Sequence, residues 1–197
     1  QGVYISLDQA EAMKDLFLSA ANGQESHLLI KSLIIDDCGM SDEAFEQLLL
    51  GLVAQNELTR LHYINNNALG HRSAALLSRL CRRDIKNNHI TEFNISNVQI
   101  AKTNKDCPQN IITGLLYDLE VPMKIRNIKF SNLDLNNKEI TDAMVQMLES
   151  CAYIQYFNIS NCNIQLSELV KITEELKLCC KLEYCNLGGN KVSVSSF

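Results

Sequence analysis

Apolar residues return along this chain at a fixed set of offsets. Five stretches carry the pattern without gaps: LIKSLIIDDCGM at 29–40, HITEFNISNVQI at 89–100, KIRNIKFSNLDL at 124–135, YIQYFNISNCNI at 153–164 and KLEYCNLGGNKV at 181–192. With Ile30, Ile90, Ile125, Ile154 and Leu182 at offset zero, apolar residues fall at offset three (Leu33, Phe93, Ile128, Phe157, Cys185) and offset five (Ile35, Ile95, Phe130, Ile159, Leu187). Alternation of this kind predicts a short strand with one buried face. A further apolar residue closes each copy at offset ten: Met40, Ile100, Leu135, Ile164 and Val192. A sixth copy, ELTRLHYINNNAL at 57–69, fits with one residue inserted, so that Asn67 and Leu69 close it.

Between the strands the period changes to that of an amphipathic helix. Ser41, Asp42 and Glu43 precede Phe45, Leu48, Leu49 and Leu52, with Ser41 placed to cap and the two acids suited to the positive end of the helix dipole. Thr141 and Asp142 precede Met144, Met147 and Leu148 in the same manner. Leu166 opens a stripe of Leu169, Ile172 and Leu176, and Ala74, Leu77 and Leu80 form another. Near the start, a short strand is predicted over 3–7, then a helix with Ala12, Leu16 and Ala20 on one stripe. Strand, helix, strand in one sheet implies parallel strands and right-handed crossovers.

The pattern is similar to the leucine-rich repeat L-x-x-L-x-L-x-x-N/C-x-L, whose units of about 20–29 residues stack a strand and a helix into a horseshoe. The closing residues Met40, Leu69, Ile100, Leu135, Ile164 and Val192 are 29, 31, 35, 29 and 28 positions apart. Units this long resemble the ribonuclease-inhibitor-like class, and the resemblance covers about residues 29–192. It implies an α/β solenoid with a parallel inner sheet and outer helices. Residues 1–197 are thus expected to form a single repeat domain of about six units plus a partial N-terminal one. The array starts inside a unit and stops after a strand motif, so it reads as an uncapped piece of a longer chain.

Composition narrows the function. The net charge of −5 argues against nucleic acid as the main partner. No apolar run of about 18 residues predicts a membrane span. One basic cluster, Arg72, Arg79, Arg82, Arg83 and Lys86, is expected on a helix and the loop after it, as a solvated face or a patch for an acidic partner. The cysteines follow the repeat: Cys38 and Cys162 take offset eight, where the family places Asn or Cys, and Cys185 takes a buried strand position. That placement reads as small buried hydrophobes in a reducing, cytoplasmic setting rather than disulfides or a metal site. The sequons at Asn94 and Asn158 fall inside strands, where the repeat explains them better than glycosylation. No phosphate loop, dinucleotide fingerprint or nucleophile elbow occurs. Gly188 and Gly189 read as a tight turn. No enzyme activity, cofactor or metal is expected.

The surface is then the candidate site. Offsets two, four and six point away from the core because strand side chains alternate. They put Arg60, Glu92, Tyr156 and Tyr184 in one row, and His62, Asn94, Lys129, Asn158 and Asn186 in the next. Arg60 and Glu92 are placed to pair across strands. Tyr156 and Tyr184 are adjacent, as aromatic residues with polar tips often are at interfaces. The third unit is irregular, with a polar insertion at 102–107, then Pro108 and a helical stripe of Ile111, Ile112, Leu115, Leu116 and Leu119. Insertions of this kind map to one edge of a solenoid.

The resemblance implies a protein-binding scaffold, with other proteins as partners inside a larger complex. It admits a structural subunit of an assembly such as a ciliary axoneme complex, a substrate receptor of a ubiquitin ligase, or the sensing end of an innate immune receptor. The asparagine excess resembles that of proteins from AT-rich protist genomes and tilts the reading toward the axoneme, hence cytoskeleton or cilium. The alternative is a small-GTPase regulator resembling the Ran GTPase-activating protein, with Arg60 and the asparagine row at the nucleotide. The acidic tract of that family is not seen here.

Overall fold

The computed structural model describes residues 4–22, 29–55, 57–66, 69–81, 90–98, 125–150 and 153–191. In order these form α1 (Leu7–Ala21), β1 (Ser32–Asp36), α2 (Asp42–Gln55), β2 (Arg60–Ile64), α3 (His71–Cys81), β3 (Glu92–Ser96), β4 (Asn127–Lys129), α4 (Lys138–Ser150), β5 (Tyr156–Asn158), α5 (Leu166–Leu176) and β6 (Tyr184–Asn186). The six strands make one sheet in chain order, and every neighbouring pair is parallel. This is the α/β architecture with a parallel sheet that the spacing predicts. The insertion at 102–107 and the helix expected after Pro108 lie outside the described residues.

Register follows the repeat. Offset two aligns Ser32, Arg60, Glu92, Asn127, Tyr156 and Tyr184 across the sheet. Offset four aligns Ile34, His62, Asn94, Lys129, Asn158 and Asn186. A slip of one residue would turn every buried side chain outward, so the apolar residues at offsets three and five fix this register. Those residues, Cys185 excepted, share one core with the helical stripes. Phe45 of α2 stacks on Tyr63 of β2, ring centroids 4.0 Å apart, and Phe93 meets Phe130 edge-on at 5.9 Å.

Each strand ends in the same way. Asp37, Asn65, Asn97, Asn132, Asn161 and Gly189, all at offset seven, have positive φ. Only Gly, Asn and Asp adopt this left-handed region readily. The turn swings the next residue, at offset eight, inward. There Asn66 donates to the Ile35 and Ile64 carbonyls at 2.9 and 2.6 Å and accepts from Cys38 N at 3.1 Å. Asn190 repeats the arrangement: it donates to Ile159 and Leu187 and accepts from Cys162 N and Ile164 N. In the second unit the inward asparagine described is Asn66, at the ungapped offset; Asn67, expected in that place, lies outside the described residues. The inserted residue falls after this asparagine, and Leu69 is buried as expected.

Several expectations at the ends of elements need correction. Residues 4–6 form no strand; Ser6 instead caps α1 in a capping box with Gln9. The buried face of α1 is Ala10, Phe17 and Ala20, whereas Ala12 and Leu16 are exposed. Gly51 of α2 lets α1 approach this closely: a Cβ there would lie 2.9 Å from Phe17 Cβ and 3.1 Å from Lys14 Cα. Thr141 does not cap α4, which begins a turn earlier, where Asn137 Oδ1 accepts from Glu139 N at 2.8 Å. Ser41 does cap α2, accepting from Ala44 N at 3.2 Å. Cys185 is exposed rather than buried, because β6 pairs on one side only among the described residues and no described helix covers it.

Candidate functional site

The face of the sheet away from the helices carries the expected surface residues, and its centre is polar. Arg60 of β2 donates twice to Glu92 of β3, Nε to Oε2 at 2.6 Å and Nη2 to Oε1 at 3.0 Å. This fork matches a carboxylate with two parallel bonds. It raises the Arg60 pKa and, with a smaller contribution from the Asn127 side chain, holds the Glu92 carboxyl below the usual carboxylate range. His62 Nε2 stands 3.6 Å from Glu92 Oε2. Burial nevertheless pushes the imidazole below its ordinary value, helped by the charges of Arg60 and Lys129 and opposed by Glu92.

Beside the ion pair is an open hollow of about 220 Å³, lined by His62, Glu92, Phe93, Asn94, Asn127, Ile128, Lys129 and Tyr156. Its wall continues into the stacked rings of Tyr156 and Tyr184, 4.3 Å apart and within 8° of parallel. Tyr184 is 44% exposed. Lys129 makes no ion pair among the described residues. No serine, threonine or cysteine lines the hollow.

The asparagines of this face lie deeper than strand alternation predicts. Asn94 and Asn158 are 7% and 5% exposed. Asn94 is a short side chain between the longer His62 and Lys129, and Asn158 lies next to Lys129. The amide oxygens are engaged locally. Asn94 Oδ1 accepts from Ser96 Oγ at 2.6 Å, Asn158 Oδ1 from Ser160 N at 3.0 Å, and Asn186 Oδ1 from Gly188 N at 3.0 Å. The Asn94 amide nitrogen has no acceptor among the described residues.

Of the nine residues expected on this face, His62, Glu92, Asn94, Lys129 and Tyr156 meet at the hollow. Arg60 reaches it through Glu92, and Tyr184, Asn158 and Asn186 extend its two rows across β5 and β6. Asn127 belongs with them and lines the hollow. Its place at offset two, between Glu92 and Tyr156, is the signal that marks it.

Elsewhere the chemistry is sparse. Arg72 reaches Glu46 on α2 at 3.4 Å and Arg79 is exposed on α3; Arg82, Arg83 and Lys86 lie outside the described residues. Cys38, Cys162 and Cys185 are free thiols. Burial pushes the Cys162 thiol up to about 11, and it donates to the Phe130 carbonyl at 2.6 Å. No cluster of three or more metal-ligating side chains occurs among the described residues. No helix there is long and apolar enough to cross a membrane. Compared with known proteins, the chain matches no family model, and no curated protein matches it.

Proposed function

We propose that this chain is a ribonuclease-inhibitor-like leucine-rich repeat domain, and that it acts without catalysis as a protein-binding scaffold through the sheet face away from its helices. The observation that carries this reading is the stacked, partly exposed Tyr156–Tyr184 pair beside the polar hollow. Two rigid rings with polar tips give contact area at low entropic cost, as interface anchors do. The recurrent asparagines at offset eight support the repeat assignment, because each satisfies the backbone groups left open where the chain leaves one strand for its helix. The setting we favour is a structural subunit of a large assembly, such as an axonemal complex. Regulation of a small GTPase through Arg60 is the less favoured reading, since that guanidinium would first have to leave Glu92.

The test is affinity capture with the full-length protein and with the double variant Tyr156→Ala/Tyr184→Ala, read by mass spectrometry. The expected outcome is a stoichiometric set of partners that the variant loses. Partners retained by the variant would move the interface to the helices or edges. If no stoichiometric partner is captured, the scaffold reading fails.

A further inference from the structure

The hollow on the sheet face has an imbalance between donors and acceptors. Its one carboxylate, Glu92, is already satisfied by two bonds from Arg60 and by the Asn127 side chain. Its donors are not. Lys129 has no ion pair among the described residues, and the Asn94 amide nitrogen, on a side chain 93% buried in the hollow wall, has no acceptor there. A buried donor without a partner has lost its water without replacement, so a ligand that supplies an acceptor is favoured over one that does not. Asn94 and Lys129 are in register on adjacent strands, about 4.8 Å apart along the ladder. Local charge agrees. Arg60 and Lys129 give two positive charges against one from Glu92, a net of +1 in a chain whose total is −5.

We infer that the hollow receives a carboxylate from a partner protein, an aspartate or glutamate side chain seated between the Asn94 amide and the Lys129 ammonium, with the neighbouring residue of the partner laid on the Tyr156–Tyr184 stack. This rests on the reading of the face as a protein-binding surface and adds the chemistry of what it binds. The hollow is too small for a folded element and suits one side chain. The ring stack continues from it, so an extended segment crossing the strands can use both. The Asn94 amide oxygen stays with Ser96, while the amide nitrogen and the Lys129 ammonium bond no other described residue, so filling the site breaks no existing bond.

A displayed library of random twelve-residue peptides, selected on the full chain, tests this directly. The wild type is expected to enrich peptides with Asp or Glu at one fixed position beside an apolar residue. Lys129→Gln should weaken the selected peptides about tenfold, the equivalent of one lost charged hydrogen bond. Lys129→Glu should reverse the preference to Lys or Arg, a change that loss of folding cannot produce; thermal melts of both variants verify that they fold. Enriched peptides with no acidic preference, lost in Tyr156→Ala/Tyr184→Ala, would overturn the carboxylate and leave the scaffold reading standing. Competition by inorganic phosphate equal to that by blocked glutamate would also overturn it, as a general anion site. If no sequence is enriched, the carboxylate is rejected, and the partner capture above decides the scaffold reading separately.

Discussion

A single asparagine, Asn66, holds the turn between two strands. Its side chain serves two carbonyls and one N–H, all from backbone that leaves the sheet. Leaving a buried polar group unsatisfied costs about 1–3 kcal/mol, so Asn66→Ala is expected to lose about 2–4 kcal/mol, measured by urea denaturation. A loss below about 1 kcal/mol would mean that water replaces the side chain. The apolar Val98 and Leu133 stand at the same offset in their units and are buried there. His62 gives a second prediction at this scale. Its folded pKa is below the ordinary 6.5, so the unfolded chain binds its proton first on acidification. Stability is therefore present above about 6.5 and is lost as pH falls from there through the folded value. Between pH 7.5 and 5.5 the melting temperature of the wild type should fall further than that of His62→Gln. Glu92 contributes in the same direction but below 4.5, outside this window, and Arg60 keeps its charge throughout. Equal slopes in the two proteins would show that the imidazole pays no burial cost.

Elements meet where small residues permit it. Gly51 sits mid-helix, where glycine costs about 1 kcal/mol relative to alanine, yet it brings α1 onto α2 with the Phe17 side chain and the Lys14 backbone against it. Lys14 Nζ then donates to Gln47 at 2.6 Å, and Gln55 bridges the Phe17 carbonyl to Ile30 N. Gly51→Val would force the α1 backbone away. Overpacking of this kind costs about 1–3 kcal/mol, more than the small gain in helix propensity. The expected result is a stability loss of about 2 kcal/mol, with amide exchange at Phe17–Ala20 accelerated relative to the strands. Unchanged exchange in α1 would show that the helices yield without separating. At the start of α3 a comparable contact joins successive units: Asp42 Oδ1 accepts from Gly70 N at 2.8 Å, and Ser73 donates to the Asp42 carbonyl at 2.9 Å. The acid at the beginning of one helix so stabilises the positive end of the next. Neither contact is visible in the helical period of either segment, because each joins residues 28 or more positions apart.

Across the whole molecule the repeat acts as a ruler. Residues some 30 positions apart become neighbours at the same height in the sheet, and so a row of side chains is assembled from six distant segments. The candidate site was legible to that extent: the rows, the Arg60–Glu92 pair and the Tyr156–Tyr184 neighbours follow from counting offsets. The depth of Asn94 and the hollow beside it were not legible, since alternation says which way a side chain points and not how far its neighbours close over it.

The sequence by itself determined the order of the strands, their parallel sense, their register and which side chains share a face. It could do so because a period of about 30 residues, repeated with a strict two-residue alternation inside each strand, leaves one way to bury every apolar position. Only the tertiary structure decided which turn asparagine faces inward, where α1 lies against α2, and which donors on the open face lack a partner. Those depend on distances between side chains from different units, set by packing at Gly51, by the rings of Phe45 and Tyr63, and by the long neighbours of Asn94.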